Sequence, residues 1–150
     1  MEFNKEETRA LLRELLSSQS LAVLATRDHE GHPYCNLVAF ASNENMKQIL
    51  FATPRESQKY KNLSLDPRVA LLIDNRHNDE SDFHGASAVT AVGTTREIGS
   101  MDSMDWISLY LGKHPCLKEF VSSPTCALFS LTVEFFRLVT RFQSVIDFPM

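Results

Sequence analysis

The stretch QILFATPRESQKYKNLSLDPRVALLID, residues 48–74, carries the change of pattern that decides the fold. Gln48 to Thr53 is an apolar run of strand length. From Pro54 to Leu63 the period shifts from two towards helical, and Arg55, Lys59 and Lys61 enter. Asp66-Pro67 stops the helix, because the residue before a proline is pushed out of the helical region, and Arg68 to Asp74 reads as strand again. A helix start offers backbone N–H groups without internal partners and the positive end of the peptide dipole. Strand, basic turn and short helix therefore make a candidate anion site. Ser57, Gln58 and Lys59 put a hydroxyl, an amide and a cation into one turn. The competing reading makes Thr53-Pro54-Arg55-Glu56 a capping box, with Pro54 in the first helical turn and the basic side chains merely solvated.

Upstream, Leu21 to Thr26 and Tyr34 to Ala41 read as strands. Between them lies the polar turn Asp28-His29-Glu30-Gly31-His32-Pro33, and after them the turn Asn43-Glu44-Asn45. Leu11, Leu12, Leu15 and Leu16 recur at helical spacing, which predicts an amphipathic helix over about residues 4–18, with Asn4 as N-cap and Glu7 three residues on. Downstream, Asn75 to Ser87 is a polar, acidic loop. His77, His84, Asp79 and Asp82 within it match no metal-ligand spacing. Ala86 to Ile98 is a long strand in which Gly93 marks a bulge or a close approach, expected to come from a bound ring or a neighbouring subunit. Met101 to Leu111, capped by Asp102, and Leu117 to Val121 read as helices. Trp106, Ile107 and Tyr110 form the core face of the first. Thr125 to Val133 and Phe135 to Val145 read as two closing strands with a bend around Glu134. The chain reads as a single domain over residues 1–150.

Composition narrows the function classes. The net charge is -4 and there is no long basic run, so nucleic acid is not an expected partner. No run approaches membrane-spanning length, and the charged start does not read as a targeting signal, so no membrane partner is expected. Cys35, Cys116 and Cys126 are widely spaced and odd in number. This argues against zinc and a disulfide framework and fits a reducing cytoplasm. Only five glycines are present, and G-x-G-x-x-G, the phosphate loop, G-x-S-x-G and H-E-x-x-H are all missing. With no evident protein nucleophile or base, the hard chemistry would have to come from a cofactor, which the protein would hold and tune.

The ordered series Leu24-Ala25-Thr26, Gly31-His32-Pro33-Tyr34, Phe51-Ala52-Thr53, Ser57-Gln58-Lys59, Asn62-Leu63 and Asp66-Pro67-Arg68-Val69 resembles the pyridoxamine 5'-phosphate oxidase-like family of FMN-binding split barrels. The later match, through Gly93, Leu111-Gly112-Lys113-His114-Pro115 and the final strands, is looser. The resemblance implies a mainly β fold, a six-stranded antiparallel split β-barrel with flanking helices. It also implies a homodimer with FMN at the subunit interface, acting as a flavin-dependent oxidoreductase on a small molecule. By the same resemblance Ser57, Gln58 and Lys59 hold the phosphate with Thr53 beside them. Cys35, Asn36, Leu37 and Val38 lie along the ring and ribityl chain, and Arg141 and Phe142 reach the partner's flavin. Residues from Ile146 onward are expected to be dispensable for FMN binding. The Arg- and His-rich C-terminal pattern that the oxidase uses for its own substrate is not visible in Leu138 to Met150. A flavin carrier without a dedicated substrate, or a binder of deazaflavin or haem, are the alternatives.

Overall fold

Strands β1 (Leu21–Arg27), β2 (Pro33–Ser42), β3 (Gln48–Pro54), β4 (Arg68–Asp74), β5 (Ser87–Glu97) and β6 (Cys126–Thr140) close an antiparallel barrel. Their order is β3-β2-β1-β4-β5-β6, with β6 pairing back onto β3. A seventh strand, β7 (Ser144–Pro149), pairs with the second half of β6 along the edge whose first half pairs β3. The computed structural model describes residues 4–99, 103–141 and 144–150. Asp102, read from the sequence as a cap, lies outside them.

The barrel interior is filled by alternate residues, such as Leu24 on β1, Phe40 on β2, Phe51 on β3 and Leu71 on β4. On β6 the inward set is Ala127, Phe129, Leu131 and Val133, then Phe136 and Leu138. The parity flips at Glu134, where the register with β5 shifts between Val92 and Gly93. One extra residue turns the strand by half a period, so both halves point their apolar side chains inward. The bend expected at Glu134 is therefore a bulge within one strand, and the two closing strands read from the sequence are corrected to one. Gly93 sits at the same place. A Cβ there would lie 2.0 Å from the Thr132 carbonyl oxygen, so the group that approaches it is the chain's own backbone, not a ring or a second subunit.

Helix α1 (Lys5–Ser18) begins in the expected capping box, Asn4 Oδ1 accepting from Glu7 N–H and Glu7 Oε2 from Asn4 N–H. Its Leu12, Leu15 and Leu16 join the barrel core. Helices α4 (Ser103–Lys113) and α5 (Lys118–Ser122), separated by a 3₁₀ turn over Pro115–Leu117, contribute Tyr110 and Val121 to a second cluster. That cluster takes in Leu50 and Ala52, while Ile49 and Phe51 face the barrel interior. β3 is thus buried on both faces, which is why it reads as a continuous apolar run. Tyr110 is fully buried, with Trp106 and Ile107 partly buried beside it, as the sequence reading had it.

Two elements differ from expectation. A four-residue helix, α3 (Asp82–Gly85), stands in the loop between β4 and β5. β7 is no loose tail: Phe148 is buried in the core, Arg9 lies over its ring, and Asp147 pairs with Arg137 at 2.8 Å. Removing residues from Ile146 onward would take the buried Phe148 out of the core. Among the described residues, no helix is long and apolar enough to cross a membrane.

Candidate functional site

Helix α2 (Gln58–Leu65) starts four residues later than its sequence suggested. Ser57 is the N-cap, its Oγ accepting from Tyr60 N–H at 3.1 Å and lying 2.7 Å from Thr53 Oγ1. The capping box proposed over Thr53 to Glu56 is therefore not formed. The Ser57 hydroxyl oxygen thus caps its own helix and shares a hydrogen bond with Thr53. The exposed Gln58 is engaged as well: its Nε2 donates to Asn62 Oδ1 at 2.8 Å, and Asn62 Nδ2 donates to the buried Thr26 Oγ1 at 3.0 Å. What α2 leaves for an anion is the N–H groups of Gln58 and Lys59, which have no acceptor within the helix, and the Lys59 ammonium. No acidic residue occupies its first turn, in contrast to Glu6 and Glu7 at the start of α1. The positive end of its dipole is left uncompensated by its own side chains.

Arg55 takes a different part. Its guanidinium bonds the Glu97 carboxylate at 2.9 Å, Tyr60 Oη donates to the same carboxylate at 2.8 Å, and Arg55 N–H bonds the Thr125 carbonyl. Burial works against the charged form of Glu97, but the bonds from Arg55 and Tyr60 outweigh it and leave its pKa lowered. This clamp fixes the turn into α2 against the end of β5. A second one sits below α2, where Asp66 takes Arg68 at 2.8 Å and Arg27 at 3.2 Å. The Arg68 hydrogen bonds hold its carboxyl well below the usual carboxylate range. Asp66, Arg27 and Arg68 line an open cleft of about 320 Å³ with Thr26, Gly31 and Ala70. Sequence reasoning missed the Asn62 and Asp66 links, although Asp66-Pro67-Arg68 is a visible signal, a carboxylate two residues before a strand-opening arginine.

The Cys35–Val38 segment lies on β2 beside α2, since Thr26 is paired directly with Tyr34 and Leu24 with Asn36. Strand alternation divides the four residues. Cys35 and Leu37 are exposed on the outer face, whereas Val38 is buried and Asn36 faces the barrel with its partner Leu24. β3 pairs with β2 only over Phe40–Ser42, so residues 33–39 present a backbone edge without a strand partner. Asn36 Oδ1 is also buried without a donor. An unpaired edge and an orphaned acceptor fit a ligand that brings N–H and O–H groups, as a flavin does.

Thr53, Ser57, Gln58 and Lys59 are thus gathered with the β2 segment at one end of the barrel. Arg141 is not part of that group. It follows the far end of β6 in an exposed left-handed turn, φ 52°, with its N–H on the Ala86 carbonyl. Phe142 lies outside the described residues. At Arg141's end of the outer face a larger cleft, about 660 Å³, opens under the loop between β4 and β5.

Comparison with known proteins agrees with this architecture. The family model described as pyridoxamine 5'-phosphate oxidase matches residues 8–140. The chain belongs to that family. Among curated proteins, none matches its sequence. A Clostridium acetobutylicum protein of the pyridoxinephosphate oxidase family superposes with a TM-score of 0.76 at 16% identity, covering 98% of this chain and 97% of that one. A heme-binding protein from Mycobacterium smegmatis gives 0.81 at 18% identity, covering 91% of this chain but only 55% of its own. A FAD-binding protein from Mesorhizobium loti gives 0.67 at 14%, covering 86% and 91%. At these identities the likeness is one of fold: the closed six-stranded split barrel with an added strand and flanking helices.

Proposed function

We propose that this protein binds FMN along the open edge of β2 and acts as a flavin-dependent oxidoreductase on a small molecule. The observation that carries the reading is the unpaired edge over residues 33–39, set beside a helix start whose N–H groups, dipole and Lys59 ammonium are uncommitted. A phosphate suits that helix start, with Lys59 as its cation and the Gln58 and Lys59 N–H groups as donors. The Gln58–Asn62–Thr26 chain and the Thr53–Ser57 contact hold the helix at the height needed. The ring and ribityl chain would take their hydrogen bonds from the β2 backbone and the Asn36 carbonyl oxygen. Bound there, FMN would supply reversible redox chemistry, and the protein's part is to hold it and exclude water from it.

A homodimer belongs to the same proposal. The outer face of β1, β2 and β4 carries Leu21, Leu37 and Leu72, 55%, 64% and 36% exposed, with Val23, Ala25 and Ala39 between them. A contiguous apolar face of this kind marks an association surface. It adjoins the open edge of β2, so a partner there would close the flavin's other side, and Arg141 and Phe142 of the second chain are the residues proposed to reach it. The heme-binding and FAD-binding neighbours name the competing occupants. An absorbance spectrum of the purified protein, with mass identification of the released chromophore, tests the reading. Flavin bands with the mass of FMN support it. A haem band, or no flavin uptake on titration with FMN, overturns it.

A further inference from the structure

Asn36 takes part in the open stretch of β2 through its side chain alone. The bonds from Phe40 N–H to the Ser20 carbonyl and from Asp28 N–H to the His32 carbonyl fix the phase of the β1–β2 pair. Even-numbered residues of β2 turn their backbone groups towards β1, so Asn36 commits its own to Leu24. Cys35, Leu37 and Ala39 turn theirs to the edge that β3 leaves free. Tyr110 agrees with this phase: its Oη donates to the Ala39 carbonyl at 3.2 Å and so closes the open edge at that end.

The Asn36 Oδ1 is buried and has no donor. On the same face of β1, Thr26 is committed to Asn62, and Asn62 to Gln58, so neither answers Asn36. A buried acceptor in that condition asks for a donor from a ligand. Its place on the strand decides which part of the ligand. Thr26 pairs with Tyr34 at the level where α2 is bonded to the barrel, and Asn36 lies two residues further along β2, about 7 Å. The free backbone groups of Leu37 and Ala39 continue past it for about 10 Å. With a phosphate at the start of α2 and a ring against Leu37 and Ala39, the linker between them crosses at Asn36. An amide has a carbonyl at one end and N–H groups at the other. A hydroxyl, donor and acceptor together, satisfies either end, whereas a ring N–H satisfies only the carbonyl. We infer that Asn36 reads the hydroxyl groups of the ligand's linker, so that this chain selects a phosphate joined to its flat ring by a sugar alcohol. The inference rests on the FMN reading and narrows it, because specificity then comes from the linker as well as the ring. A haem has no such linker, and a plain alkyl chain would leave Oδ1 unmet.

FMN and its analogue with a plain pentyl linker share ring and phosphate and differ only in the linker hydroxyls. They serve as the probe pair, titrated into the full chain and followed by flavin fluorescence. Wild type should bind FMN at least about tenfold more tightly than the analogue. Asn36→Leu has nearly the same shape and no acceptor. It should erase most of that preference by weakening FMN and leaving the affinity for the analogue where it was. Free of ligand, the same variant should unfold at a urea midpoint equal to or above that of wild type, because it removes an unmet buried acceptor. Equal binding of the two probes by wild type, a preference retained in Asn36→Leu, or a lower midpoint for the free variant each overturn the inference. Binding of neither probe by wild type overturns the FMN reading and the inference with it, whereas equal binding of both overturns only the part given to Asn36.

Discussion

Lys59 and Lys61 stand two positions apart on α2, and only Lys59 is partly buried beside the helix start. Lys59→Ala should weaken FMN binding by the worth of a charge-assisted contact, about 1.5–3 kcal/mol, whereas Lys61→Ala should do little. Flavin fluorescence titration reads both, and equal small losses would return the basic residues to the solvated role. Asn62 makes a different prediction, because it is fully buried and joins Gln58 to Thr26. Asn62→Ala leaves Thr26 and Gln58 without their partner and should lower stability by about 1–3 kcal/mol in urea unfolding. An unchanged midpoint would show that water replaces the amide there. The sequence put Ser57 and Lys59 into one turn, and the structure adds that Ser57 is the residue that caps the helix. Thr53 and Ser57 are both good cap formers, and only the observed backbone decides which one opens the helix. The inward turn of Asn36 was equally invisible without the register against Leu24.

Elements were legible where period and punctuation agreed. The first four strands and α1 fall within a residue or two of expectation, because turn residues bound them and their apolar positions repeat cleanly. β6 was misread as two strands because a bulge flips the alternation at Glu134, and a flipped phase looks like a break when only the sequence is in hand. Gly93 answers that bulge across the pair. Gly93→Ala must push the Thr132 carbonyl aside, at a cost of about 1–3 kcal/mol or more, and thermal unfolding would show it; a neutral substitution would mean that the β5–β6 pair yields easily. Lys113 joins α4 to α1 and β2, with Nζ on the Leu16 carbonyl at 2.8 Å and over the Phe40 ring at 3.8 Å. His114 Nε2 lies 2.7 Å from the Phe40 carbonyl. Burial pushes Lys113 down to about 8, against the pull of that carbonyl and ring. With the ordinary value at 10.5, the unfolded chain binds more protons than the folded one between these two points, so this group makes stability rise with pH across that window. Buried Tyr110, pushed up to about 12, and Cys126, also raised, act in the opposite sense at the alkaline end. The contribution of Lys113 is therefore read as the difference between wild type and Lys113→Met. The wild type should gain stability relative to the variant from pH 8 to 10, and parallel profiles would show that the ammonium is not held in a desolvated place.

Association is the property of the whole molecule that a single sequence conceals most, since Leu21, Leu37 and Leu72 come from three strands and become one face only through the registers Val23↔Leu37 and Val23↔Leu72. If that face joins two chains and the flavin lies against it, cofactor binding and dimerisation draw on the same free energy, because a ligand that binds only the assembled state shifts assembly by mass action. FMN should then raise the dimer fraction of dilute protein in sedimentation equilibrium, and the apparent affinity for FMN should fall as protein is diluted. Leu37→Glu places a carboxylate in the middle of the apolar face without touching the barrel interior, because Leu37 is 64% exposed in the single chain. It should yield a folded monomer with a native circular dichroism spectrum and FMN affinity reduced by at least about tenfold. A Leu37→Glu monomer that binds FMN as tightly as wild type would sink the interface model and put the whole cofactor site within one chain, on α2 and the open edge of β2.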